Sequence, residues 1–139
     1  MTITAADGGS FQAYCALPAS GRGAGIILFQ EIFGVNDNLR GIADRLAAAG
    51  YVVLAPDMFW RISPGFEQND DSDMPGAMAM MGQFDFAKAL SDIDAVHAHL
   101  LAMPECTGKV GTIGFCLGGG LAFASAALSR AGGHPIDAA

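Results

Sequence analysis

Val110-Gly111-Thr112-Ile113-Gly114-Phe115-Cys116-Leu117-Gly118-Gly119-Gly120 is the stretch that decides the fold. A short β-branched run reaches Gly114, one side chain able to act as a nucleophile follows, and glycines lead into the alanine-rich Leu121–Leu128. That order predicts a strand, a sharp turn and a helix, a nucleophile elbow with Cys116 at its apex. The G-x-nucleophile-x-G spacing has a steric cause. The apex residue is held in a strained conformation, so neighbouring backbone closes in on both sides, and only glycine lacks the Cβ that would clash. The thiol then stands above the sheet. The N–H groups of the new helix point at it, and with the helix dipole they stabilise negative charge there.

Working outward, Gly25-Ile26-Ile27-Leu28-Phe29-Gln30 reads as a central strand covered on both faces. Asn36 is a helix N-cap, followed by Leu39, Ile42, Ala43, Leu46 and Ala47 on one apolar face, with Gly50 past the end. Tyr51–Ala55 is the next strand, closed by Pro56-Asp57, so these elements form a βαβ unit. Phe11–Leu17 is a shorter strand ahead of them. Arg61–Asp73 is a loop, Ser72-Asp73 before Pro75 starts a methionine-rich helix, and Phe86, Leu90, Ile93, Val96 and Leu100 mark another. The methionines (Met74, Met78, Met80, Met81) read as core filling, with a lid or pocket wall as the alternative. Alternating strands and helices make the class α/β with a mainly parallel sheet, in one domain spanning residues 1–139.

Composition narrows the function. Only 15% of residues are charged and 52% are hydrophobic, as a buried parallel sheet requires. A net charge of −7, with the seven Lys and Arg spread thinly, argues against nucleic acid as a partner. Three widely spaced cysteines and a start lacking targeting features point to a reducing cytoplasm. No Cys-x-x-Cys or Cys/His cluster predicts a metal site, and no cofactor motif is present: the glycines spell neither a phosphate loop nor G-x-G-x-x-G. Val110–Ser129 is twenty residues without a charge, long enough to span a bilayer, but five are glycine and three of those are consecutive. That breaks a membrane helix in its middle, so no membrane association is expected.

Two residues carry the chemistry. Cys15 and Cys106 read as small apolar packing residues, whereas the glycines flanking Cys116 have no purpose in simple packing. Glu31 ends the strand that begins at Gly25, so it belongs to the same carboxyl edge of the sheet as Cys116.

Gln30-Glu31-Ile32-Phe33-Gly34-Val35-Asn36, Ala49-Gly50-Tyr51 through Ala55-Pro56-Asp57, and Gly108-Lys109-Val110-Gly111 through Gly114-Phe115-Cys116-Leu117-Gly118-Gly119 together resemble the dienelactone hydrolase family. The resemblance implies an α/β-hydrolase fold, a Cys-His-Asp triad, and hydrolysis of a small-molecule lactone or ester through a thioester. It makes Cys116 the nucleophile and Glu31 the carboxylate that pairs with it in the resting site. Ile32 and Leu117 become the backbone donors of an oxyanion hole.

The sequence departs from that pattern in two places. The family places its triad Asp and His on later strands, and here the sequence ends at Ala139, where the next strand is expected to begin. His97, His99 and His134 all fall on segments running away from the elbow, and Asp57 and Asp137 have no histidine to orient. The expectation is therefore a domain truncated after the elbow helix, lacking the C-terminal strands, that labels at Cys116 but turns over little. An exposed sheet edge is expected to aggregate or to pair with a second chain. The second departure concerns the substrate. The resemblance calls for an Arg between the Asp57 strand and the next long helix, yet Ile62–Ala87 contains no Lys or Arg. Arg61 is the nearby cation and the candidate substrate-binding residue. A neutral ester or lactone is favoured over an anionic dienelactone. Two further readings stay open: a non-catalytic truncated product or pseudoenzyme that binds, and a flavodoxin-like protein using Cys116 and Glu31 for peroxide sensing or glyoxalase-type chemistry.

Overall fold

A computed structural model describes residues 1–139. Its strands are β1 (Thr2–Thr4), β2 (Ser10–Ala16), β3 (Gly23–Phe29), β4 (Val52–Pro56) and β5 (Cys106–Gly114). Its helices are α1 (Asp37–Ala48), α2 (Met74–Gly82), α3 (Phe86–Ala102) and α4 (Leu117–Leu128), followed by a 3-10 turn at Ala131–Gly133. The sheet order is β1-β2-β4-β3-β5.

The sheet is mixed. β4-β3-β5 is the expected parallel unit, while β2 runs antiparallel to β4 and β1 antiparallel to β2. β1 was not expected from the sequence. It is joined to β2 by a tight turn, closed by Ala5 N–H to Gly9 O at 2.8 Å, and a connection that short can only make an antiparallel pair.

Alternation within β3 and β4 sorts side chains into two layers. Ile26, Leu28, Val53 and Ala55 pack with Leu39, Ala43 and Ala47 of α1 on one face. Ile27, Phe29, Val52 and Leu54 pack on the other with Ile93, Val96 and Leu100 of α3 and Leu117 and Leu121 of α4. Each of these central-strand side chains larger than Ala55, removed from water on folding, contributes about 1.5–3 kcal/mol before entropy is counted. The caps follow the sequence. Asn36 accepts from Leu39 N at 3.0 Å, and Asp73, ahead of Pro75, accepts from Gly76 N at 2.9 Å. Of the methionines, Met80 and Met81 join the core, whereas Met74 and Met78 are exposed. No helix is long and apolar enough to cross a membrane.

Beyond the 3-10 turn the chain returns to the sheet. Ala138 bridges Gly111 in parallel, with Thr112 N–H donating to Ala138 O at 2.8 Å and Asp137 N–H to Val110 O at 2.7 Å. The helix beside that edge leaves Phe123 and Leu128 exposed.

Candidate active site

The carboxyl edge of the parallel strands gathers the ends of β3, β4 and β5. At the end of β5 the backbone turns at Cys116, which has φ 58° and ψ −121° and is the single non-glycine residue with positive φ. Such a conformation costs on the order of 1–3 kcal/mol and persists only where its surroundings enforce it. Two glycines do so. A Cβ on Gly114 would lie 2.0 Å from Gly118 O, and a Cβ on Gly118 would lie 2.5 Å from Phe29 O and 2.7 Å from Gln30 O. The first turn of α4 is thus pressed against both β5 and the last backbone of β3. The Cys116 carbonyl accepts from Gly119 and Gly120, which starts the helix, and the thiol is left exposed to solvent.

Glu31 lies two residues past the end of β3, and its backbone bridges Gly34 to close a tight turn. No hydrogen bond joins its carboxylate to Cys116. Glu31 lines a polar cleft of about 210 Å³ with Asn36, Asn38, Gln68, Asp70 and Asp71. The N–H groups of Ile32 and Leu117 have no acceptor among the turn, loop and cap hydrogen bonds. Leu117 opens α4, so its N–H has none within the helix either. The contact between Gly118 and the Phe29–Gln30 backbone packs the first turn of α4 against the end of β3, two residues before Ile32.

Arg61 is placed differently from the expectation that it serves a substrate. Its Nε and Nη2 donate to Asp92 at 2.8 and 2.7 Å, and its Nη1 donates to Asp7 at 2.7 Å. Trp60 donates to the same Asp92 carboxylate, and the guanidinium lies 4.3 Å from the Trp60 ring centre. These partners, Asp92 foremost, hold the guanidinium well above its ordinary pKa. A cation neutralised by two carboxylates has little charge left for a substrate anion.

The histidines lie away from the elbow. His97 is fully buried, with Nδ1 2.9 Å from Ser129 Oγ, while Ser129 donates to Asp94 at 2.6 Å. Because the Ser129 proton goes to Asp94, the imidazole proton belongs on Nδ1, which leaves His97 Nε2 as a bare buried acceptor. Ser129 caps the end of α4 opposite Cys116, and that twelve-residue helix is about 18 Å long. His99 meets Met1 Sδ, and His134 follows the 3-10 turn. Asp57 stands at the carboxyl edge, but its oxygens accept from Phe59 N–H and Gly65 N–H. Burial pushes its carboxyl up against those bonds. Asp137 sits at the amino end of β5, accepting from Val110 N–H and Lys109, and the Val110 bond leads in holding its carboxyl low.

One buried residue escaped the reading of the sequence. Gln30, fully enclosed, donates to Glu31 O at 3.3 Å and accepts from Met58 N–H at 2.9 Å, tying the loop after β3 to the loop after β4. The signal was an amide at the end of an otherwise apolar strand.

The dienelactone hydrolase family model matches residues 11–134. The chain is 40% identical over 129 residues to a carboxymethylenebutenolidase of Pseudomonas sp. strain P51, covering 91% of this chain and 54% of that protein. It is 35% identical over 131 residues to carboxymethylenebutenolidase 1 of Cupriavidus pinatubonensis, covering 93% and 56%. Among solved structures it resembles a dienelactone hydrolase-like promiscuous phosphotriesterase, P91, from metagenomic libraries, with TM-score 0.69, 29% identity, and coverage of 97% and 55%. The chain spans about half the length of the curated relatives it matches.

Proposed function

The chain belongs to the dienelactone hydrolase family, and we propose that its carboxyl edge is the acylating site of a lactone or ester hydrolase. The observation that carries this reading is the enforced positive φ of Cys116 between Gly114 and Gly118, since simple packing gives no reason to hold a cysteine there. Glu31, at the same edge, is the carboxylate that takes the thiol proton. The thiolate adds to the ester carbonyl carbon, and the oxyanion forms against Ile32 N–H and Leu117 N–H. Collapse breaks the acyl C–O bond, the departing alkoxide takes back the proton, and a Cys116 thioester remains.

Hydrolysis of that thioester needs a base to activate water. With His97, His99 and His134 away from the elbow, this chain acylates in a single turnover and deacylates slowly. A neutral ester or lactone is the favoured substrate, given the commitment of Arg61 to Asp92 and Asp7. The exposed Phe123 and Leu128 beside the β5 edge support association of two copies there, read by sedimentation equilibrium, with Phe123→Glu giving monomers.

Intact-protein mass spectrometry after exposure to p-nitrophenyl acetate tests the site. The expected product is one acetyl group per chain, absent in Cys116→Ala. Oxidation of Cys116 by dilute peroxide with no acylation would instead favour redox chemistry.

A further inference from the structure

The peptide joining Glu31 to Ile32 carries the Glu31 carbonyl on one side and the Ile32 N–H on the other, and in the trans form these point in opposite directions. An oxyanion hole that includes Ile32 N–H therefore depends on which way this one peptide faces. Turned over, it presents a carbonyl oxygen to the incoming negative charge.

Two hydrogen bonds hold the carbonyl: Gln30 Nε2 and Gly34 N both donate to Glu31 O at 3.3 Å. The other end of the Gln30 amide is fixed, because its Oε1 accepts from Met58 N–H at 2.9 Å. Met58 follows β4, and β4 and β5 flank β3 on opposite sides. Gln30 consequently holds the Glu31 carbonyl toward the β4 side. In a trans peptide the N–H at the opposite end then points away from the β4 side. Gln30 is fully buried, so water does not compete for these bonds.

We infer that Gln30 is a positioning residue for the oxyanion hole, its buried amide setting the Glu31–Ile32 peptide so that Ile32 N–H faces the Cys116 site. The inference rests on the acylating site proposed above. Gln30 touches no reacting atom. It acts through the peptide it orients, and its contribution is confined to reactions that build negative charge on a carbonyl oxygen.

That confinement gives the test. Acylation of Cys116 by p-nitrophenyl acetate passes through an oxyanion. Alkylation of the same thiol by iodoacetamide is displacement at a saturated carbon and forms none. Both rates are measured on the full chain, for wild type, Gln30→Met and Gln30→Glu. Gln30→Met removes both amide bonds at nearly constant volume, whereas Gln30→Glu keeps an acceptor for Met58 N–H and removes the donor to Glu31 O. Circular dichroism and urea unfolding establish which variants are folded, and Gln30→Glu decides if Gln30→Met is not.

The expected result is acylation slowed by about fivefold or more, the effect of one lost hydrogen bond, with alkylation unchanged. The ceiling is a loss of about a hundredfold to a thousandfold, as for removal of an oxyanion donor. Unchanged acylation in a folded variant overturns the inference, as does an equal fall in both reactions, which marks general loosening. A wild-type chain that alkylates but never acylates refutes the acylating site itself, and the variants are not needed to see it.

Discussion

Replacing Arg61 by methionine separates a structural cation from a substrate-binding one. In the folded chain Asp92 is nearly inaccessible, with 2% of its side chain exposed, and it receives two hydrogen bonds from the Arg61 fork and one from Trp60. The variant leaves Asp92 a buried carboxylate with a single donor. Removing one partner of a buried pair costs about 3–5 kcal/mol. The exposed contact to Asp7 adds about 0–1 kcal/mol and the stack on Trp60 about 0.5–1 kcal/mol. A loss of about 4–7 kcal/mol is expected, or a Tm lower by on the order of 10–20 °C. Trp60 is the one tryptophan in the chain and contacts the altered site, so its fluorescence during urea unfolding is the direct assay. Arg61→Lys should fall between wild type and Arg61→Met, because an ammonium cannot reproduce the fork. Arg61→Met with Asp92→Leu should recover much of the loss, since no orphaned charge remains. The reasoning is refuted if Arg61→Met costs less than about 1 kcal/mol while Cys116 selectively loses reactivity toward esters bearing a free carboxylate.

Gly118→Ala places a methyl group 2.5 Å from Phe29 O, so α4 must lift from β3. It should cost about 1–3 kcal/mol in urea and slow acylation of Cys116 more than its alkylation. Cys116→Gly relieves the positive φ and should gain about 1 kcal/mol in the same experiment while abolishing acylation. Burial lowers the His97 pKa below its ordinary 6.5, so the unfolded chain binds the extra proton first. Stability should hold above about pH 6.5 and fall as the pH drops through that value toward the folded-state pKa. Asp57, whose carboxyl is raised, works in the opposite sense: its contribution is present at acid pH and is lost as the pH rises from 3.8 through its folded value. His97→Gln should remove the His97 slope alone when unfolding free energies are compared across pH.

Short-range rules made the elbow, the caps at Asn36 and Asp73, and the apolar faces of α1 and α3 legible, because each depends on residues within one or two turns. The place of Cys116 at the apex follows from two glycines and a β-branched run, and no distant contact is needed to read it. The partnership of Arg61 with Asp92 and Asp7 spans 31 and 54 residues, and no local pattern announces it. A cation next to a loop looks the same in sequence whether it faces a substrate or a buried acid. Gln30 hid for a related reason. Its value lies in joining the loops after the two strands of the βαβ unit, and no local pattern says which side chain makes that tie. The antiparallel edge was lost because β1 is three residues long, too short for periodicity to register.

Gly118 and the Phe29–Gln30 backbone meet across nearly ninety residues of chain, and that distance sets a time order. Short-range structure such as α1 or the β1–β2 hairpin closes small loops and forms early. The elbow cannot close until β5 has docked on β3, so its geometry forms late, after the rate-limiting step of folding. Substitutions at Gly114 and Gly118 should therefore change the unfolding rate and leave the folding rate almost untouched, a φ-value near zero in a chevron experiment. A partly folded chain carries Cys116 as an ordinary thiol. Its acylating geometry is withheld until the scaffold around it is finished.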